Sequence, residues 1–314
     1  MQHNDALLKL LQLLKRREYR FVTTTPLTHA RVLARDHLRQ GHDASRALNE
    51  VFGWNREFVA DALDEELRAT MHDAGLMLQQ QRAGAYRSAL RVSSLGDALL
   101  LHSAYPTLAA DSVFFGPDTY RFAQFVAAHL PAARPGLRCA DIGCGSGAGA
   151  IAAASLLPGS DWLLTDINPR ALALAAINAA HAGFAMQTLL SDVLAGADSD
   201  FDLLICNPPY LADDQQRAYR DGGADLGRAL SLRIAREACE RLAPDGRLLL
   251  YTGVAIVDGV DPFLLELRAL LDAHDCRWSY RELDPDVFGE ELERPVYAQT
   301  DRIAAIGLVV ERDA

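Results

Sequence analysis

The chain has 314 residues, half of them hydrophobic, with 31 basic against 42 acidic side chains and a net charge of −11. That length holds about two domains, and the acidic balance excludes a surface drawn as a whole to a phosphate backbone, leaving only a local basic patch for such a role. No apolar run reaches the roughly 20 residues of a membrane span, the first residues lack the charged-then-apolar order of a signal peptide, and five dispersed cysteines without a Cys-x-x-Cys pair read as reduced, buried thiols of a cytoplasmic protein.

In chain order, Ala6–Arg17 predicts a helix, with Leu7, Leu8, Leu10, Leu11, Leu13 and Leu14 on one broad apolar face. Thr28–Arg39, Asp43–Glu50, Asn55–Leu63 and Asp64–Leu78 continue the helical pattern, Asp43 serving as a cap and Gly75 as a weak point. The period then changes. Tyr86–Ser93 and Ala98–Ser103 flank Ser94–Asp97 as a β-hairpin. Residues 1–108 therefore predict a mainly helical N-terminal domain ending in a hairpin, of a winged-helix-like kind. Residues 109–314 predict an α/β domain. Strands are expected at Leu137–Ile142, Asp161–Asp166, Met186–Ser191, Asp202–Cys206 and Arg247–Thr252. Helices are expected between them at Gly147–Leu156, Pro169–Ala182 and Ala229–Leu242. Continuous apolar strands such as Leu203–Cys206 fit a parallel sheet covered on both faces. Pro262–Asp272 (helix), Arg277–Leu283 (strand) and Arg302–Val310 (strand) complete a seven-stranded, Rossmann-like, doubly wound, mostly parallel sheet with an antiparallel terminal strand. In such a sheet ligands sit at the carboxyl ends of the strands.

The first of those ends is Asp141-Ile142-Gly143-Cys144-Gly145-Ser146-Gly147. Glycines here permit left-handed backbone and let a ligand lie against the main chain beside a helix N-terminus. Gly143, Gly145 and Ala148 also satisfy the dinucleotide form, so a nicotinamide oxidoreductase competes at this point. Asp141 tilts the balance: a carboxylate there repels a pyrophosphate and attracts an ammonium or sulfonium. The segment resembles the first motif of the class I methyltransferases, whose cofactor is S-adenosylmethionine. The resemblance implies cofactor contacts from Asp141, Gly143, Cys144, Gly145 and Gly147. Asp166 ends the second strand, where a carboxylate accepts from ribose hydroxyls, and Ile167 is placed to pack on adenine. Asn168 reads as a helix cap before Pro169. Asp192 and Val193, after the third strand, are expected at the adenine edge and ring, with a turn cap as the plainer reading of Asp192.

The fourth strand runs into Asn207-Pro208-Pro209-Tyr210. Two prolines fix the backbone and remove two donors, leaving a rigid turn with the Asn207 side-chain oxygen and the Pro208 carbonyl as acceptors. Two acceptors aimed at a conjugated NH2 raise the electron density on its nitrogen, and Tyr210 can stack on the acceptor plane. The four residues are the candidate catalytic set, and Asn207 is expected to touch the cofactor as well. This tetrapeptide resembles that of N-methyltransferases acting on adenine, guanine or glutamine nitrogens. Upstream, Pro117-Asp118-Thr119 resembles a segment of the release-factor glutamine methyltransferases, with Gly116 where that family has Arg and Tyr120 where it has Glu. The resemblance implies that Asp118 and Thr119 cover the cofactor. It ranks a protein glutamine first as acceptor, then an amino group of an rRNA or other nucleic-acid base, then a small molecule. Arg82, Arg87 and Arg91 near the hairpin favour nucleic acid. A non-catalytic module that binds S-adenosylmethionine is the remaining alternative. The loop 211–228 reads as a substrate lid or as a solvated turn, and Asp284–Asp286 with Glu290–Arg294 as a further rim. The nine histidines have no metal-binding spacing, so no metal is expected.

Overall fold

The computed structural model describes residues 2–35, 47–198, 200–215, 217–274 and 276–313. Helix α1 (Gln2–Arg16) buries Leu7, Leu10, Leu11 and Leu14 as its spacing requires. Helix α2 is shorter than predicted, Pro26–Leu33, and is capped by Thr25, whose side chain accepts from Thr28 N–H. Ala34 and Arg35 form a turn at its end, and residues 36–39 of the expected Thr28–Arg39 helix and the start of Asp43–Glu50 lie outside the described residues. The described end of the latter passes into a π-turn at Asn49–Gly53.

The expected helix at Asn55–Leu63 is not formed. Asn55 takes φ +54°, which turns the chain into a short strand β1 (Phe58–Val59) and one 3-10 turn. Helix α3 (Glu65–Asp73) starts on the Asp64 cap and stops before Gly75 at φ +58°, so Met77–Gln79 becomes β2 rather than more helix. The first predicted hairpin strand is in fact split. Ala85–Ser88 (β3) pairs with β1 and β2, whereas Leu90–Leu95 (β4) pairs with β5 (Ala98–Ser103). The break falls at Ala89, whose N–H donates to Leu76 O instead of to a strand partner. The hairpin turn is Gly96-Asp97, with Gly96 at φ +58°.

The large sheet has seven strands in the order β11-β12-β10-β9-β6-β7-β8. They are β6 (Arg138–Ile142), β7 (Asp161–Asp166), β8 (Gln187–Leu190), β9 (Phe201–Cys206), β10 (Leu242–Ile256), β11 (Cys276–Asp284) and β12 (Arg302–Arg312). Strands β6 to β10 are parallel, and β12 runs antiparallel between β10 and β11. Helices α5 (Ala148–Ala154), α6 (Pro169–Ala182), α7 (Ala229–Arg241) and α8 (Pro262–Leu271) cover it. Helix α4 (Pro117–His129), which the sequence reading left unassigned, precedes it. Apolar cores form on both faces, as continuous apolar strands demand. The N-terminal core includes Ala171, Leu174 and Ile177 of α6, so both parts of the chain share that helix. Among the described residues no helix is long and apolar enough to cross a membrane, and no cluster of metal-ligating side chains occurs.

Candidate active site

The strand order reverses between β6 and β9, and a cleft opens there at their carboxyl ends. Every residue predicted for cofactor or catalysis except Gly147 lines this one cleft. The crossover topology brings them together from positions 90 residues and more apart in sequence.

The glycine loop follows β6. Gly143, Gly145 and Gly147 have φ of +66°, +53° and +76°, so all three sit where other residues are strained. A Cβ on Gly143 or Gly145 would meet no atom within 4 Å, whereas one on Gly147 would lie 3.2 Å from Ala175 Cβ. The first two therefore bare the backbone toward the cleft, and the third lets α5 and α6 approach. Asp141 is 2% exposed, and its Oδ2 accepts from Ala150 N–H at 3.0 Å. The cap position of α5 is Gly147, which has no side chain to offer, so Asp141 supplies the missing acceptor. The sequence reading gave Asp141 only a ligand to face. It also holds the helix. Burial pushes its carboxyl up to about 7, with the nearby Asp166 charge adding to the shift against the Ala150 hydrogen bond.

Asp166 accepts from two backbone amides, Gly145 N–H through Oδ2 and Asn168 N–H through Oδ1, each at 2.9 Å. Burial raises its carboxyl, and the amide hydrogen bonds oppose the rise. It thus ties the glycine loop to the end of β7 while lining the cleft. Asn168 caps α6 by accepting from Arg170 N–H, as expected. Beside it Ile167 is 54% exposed, an apolar side chain left uncovered at the cleft wall. Val193 is buried at φ +55°. Asp192 is open to solvent and forms an ion pair at 3.0 Å with Arg233 of α7. The same helix contributes Leu230 and Ile234 to the cleft. Sequence reasoning missed these two, because their distance from the glycine loop gives no local signal.

Tyr210 is more constrained than its motif implied. It is 7% exposed. Its ring lies so close to Gly253 that a Cβ there would come within 2.2 Å of it, and it meets Phe288 edge-on at 5.8 Å. Its hydroxyl donates to Asp118 Oδ2. The other oxygen of Asp118 accepts from Tyr251 O–H at 3.1 Å and from Arg121 at 3.0 Å. Burial raises the Asp118 carboxyl, with Tyr210 the strongest of the donors that oppose it. Asp118 thus lines the cleft while its carboxylate is spent on the tetrapeptide, and Thr119 Oγ1 accepts from Gly116 N–H at the start of α4.

The two departures from the glutamine-methyltransferase pattern both have structural counterparts. A Cβ on Gly116 would stand 2.6 Å from the ring of Phe114, so the absence of a side chain lets that ring fold into the cleft wall. Tyr120 places its hydroxyl 3.0 Å from Thr23 N–H, which ties α4 to the N-terminal part.

Parts of the loop 211–228 are packed against the site, while Asp214, Gln215 and Gly223–Asp225 are exposed. Gly222 and Gly227 close on the backbone of Tyr210, leaving no room for a Cβ at either. Arg217 holds Asp213 down to about 2, Arg220 pairs with buried Glu291, and Tyr219 O–H donates to Thr107 O at 2.8 Å. Tyr219 and Arg220 face the cleft, as does Phe288 from the segment between β11 and β12.

The chain matches the family model of the methyltransferase small domain over residues 112–255. In sequence it is 36% identical over 140 residues to the release factor glutamine methyltransferase of Cereibacter sphaeroides, covering 39% of this chain and 49% of that protein. It is 35% identical over 127 residues to the enzyme of the same name from Deinococcus radiodurans, covering 36% and 44%. The chain thus spans about half the length of the curated relatives it matches. Among solved structures, a Pyrococcus horikoshii protein described as a transferase superposes with a TM-score of 0.50 at 8% identity, over 72% of this chain and 73% of that one, which supports the fold alone.

Proposed function

We propose that the chain is an S-adenosylmethionine-dependent N-methyltransferase whose acceptor is the side-chain amide of a protein glutamine. The observation that carries this reading is the meeting of Asn207-Pro208-Pro209-Tyr210 and the glycine loop in one cleft. The cleft fits the cofactor. Gly143 and Gly145 leave backbone open to it, Asp166 can accept from a ribose, and exposed Ile167 offers a face to adenine. Asp192 and Val193 line the same cleft and would serve the adenine edge and ring. The Asp141 carboxylate suits an ammonium and opposes a pyrophosphate, which argues against the nicotinamide alternative.

The bound cofactor supplies an electrophilic methyl group on a sulfonium. The chain's own part is to hold the acceptor and exclude water. The Asn207 oxygen and the Pro208 carbonyl accept the two N–H bonds of the amide. This orients its nitrogen lone pair and raises its electron density. Tyr210, fixed by Asp118, walls the site and keeps the turn rigid. No strong base is needed, because the cationic N-methylated amide formed as the thioether leaves would be strongly acidic and would lose its extra proton to water.

The choice of glutamine rests on the names of the relatives and on the Pro117-Asp118-Thr119 segment. The test is transfer of a labelled methyl group to an extract from methyltransferase-deficient cells, followed by protease or RNase. Label released by protease and located on glutamine is the expected result. Label released by RNase would replace the acceptor with a nucleic-acid base. Cofactor binding with no transfer to any extract would leave a binding module.

A further inference from the structure

Asn178 lies in the interior of α6 and is wholly buried. Its Nδ2 donates to Ser146 O at 2.9 Å and to Leu101 O at 3.0 Å, and its Oδ1 accepts from Leu101 N–H at 2.8 Å. One side-chain amide thus does for Leu101 what a neighbouring strand would do, on the edge of β5 that β4 does not use. The same amide grips the carbonyl of the residue between Gly145 and Gly147. Ser146 lines the cleft. The surrounding packing repeats the connection: Leu100 of β5 shares an apolar cluster with Ala148 and Ile151 of α5 and Ala179 of α6.

We propose that Asn178 is a positioning residue that fixes the cofactor loop to the N-terminal hairpin. Ordering of the loop by a bound nucleoside and ordering of β5 are then one event. Such coupling is reciprocal: whatever steadies the hairpin tightens cofactor binding, and the cofactor steadies the hairpin by the same factor. The inference rests on the cleft being the S-adenosylmethionine site.

The experiment uses the full chain and S-adenosylhomocysteine as the probe. Asn178→Ala is expected to raise its Kd about tenfold, within the usual range of coupling between sites. Leu271→Ala is the control: it removes a buried side chain of α8 from a core that holds neither hairpin nor glycine-loop residues, and its Kd is expected to stay within about twofold of the parent. Equal effects of the two variants, or an unchanged Kd in Asn178→Ala, overturn the proposal. Should Asn178→Ala not fold, hydrogen exchange on the unaltered chain decides. S-adenosylhomocysteine is expected to slow exchange at residues 98–103, and unchanged exchange there with the ligand bound overturns the coupling. An unaltered chain that fails to bind the ligand at all refutes the cofactor reading itself, and the proposal falls with it.

Discussion

Tyr210→Phe removes a single oxygen from the tetrapeptide and keeps the ring on Gly253. In the parent, Asp118 Oδ2 takes its hydrogen bond from Tyr210 alone among the described residues, while Oδ1 keeps Tyr251 and Arg121. Asp118 is 3% exposed, so water cannot substitute freely. Removing one donor from a buried charged acceptor costs about 1.5–3 kcal/mol. For a domain of this size that lowers the melting temperature by roughly 3–12 °C. The assay is a double-mutant cycle by urea unfolding, with Tyr210→Phe, Asp118→Asn and the pair. We expect an interaction energy of about 1.5 kcal/mol or more. Turnover should fall in Tyr210→Phe while the affinity for S-adenosylhomocysteine holds, because the hydroxyl steadies the acceptor turn rather than the cofactor loop. An interaction energy below about 0.5 kcal/mol would refute the reasoning, since independent sites reach that figure.

Four further predictions test the cleft and the packing behind it. Asn207→Ala should lower kcat about 100-fold and leave cofactor affinity near the parent value, as expected for losing one transition-state hydrogen-bond partner; collapse of cofactor binding in calorimetry would show that Asn207 belongs to the cofactor side. The Asp141 carboxyl is raised to about 7 in the fold, so its proton is held more tightly in the folded chain than in the unfolded one, and its burial costs stability progressively as pH rises from the ordinary carboxylate range through 7. A cation in the cleft favours the ionised form. Affinity for S-adenosylmethionine should therefore weaken as pH falls below about 7, with proton release on binding near pH 6.5, and Asp141→Asn should abolish that release in buffers of differing ionisation enthalpy. Gly145→Ala places a methyl group in open cleft at φ +53°; it should weaken S-adenosylhomocysteine binding about tenfold with a backbone strain of about 1 kcal/mol. Gly149→Ala, whose Cβ would stand 2.4 Å from Phe122, should destabilise the fold much more, as thermal unfolding would report.

The α/β pattern was legible because both faces of a parallel sheet are buried, and runs such as Leu203–Cys206 and Leu248–Tyr251 need no distant partner to be recognised. The glycine loop and the tetrapeptide were legible for the same reason: left-handed angles and paired prolines restrict the backbone locally. Residues 55–63 misled because their helical spacing was real, while Asn55 at φ +54° and pairing with β3 decided otherwise. Helix α4 is less legible because its cap position is Gly116, which has no side chain to mark the start. By itself the sequence determined which segments take left-handed glycine angles after a strand and which strand ends in a turn fixed by paired prolines. Only the tertiary structure decided that Asp141 caps α5, that Tyr210 is tied to an aspartate 92 positions away, and that Asn178 joins the glycine loop to Leu101. These are contacts between side chains and groups that only the crossover topology brings together, and hydrogen bonds across such distances leave no periodicity in the chain that makes them.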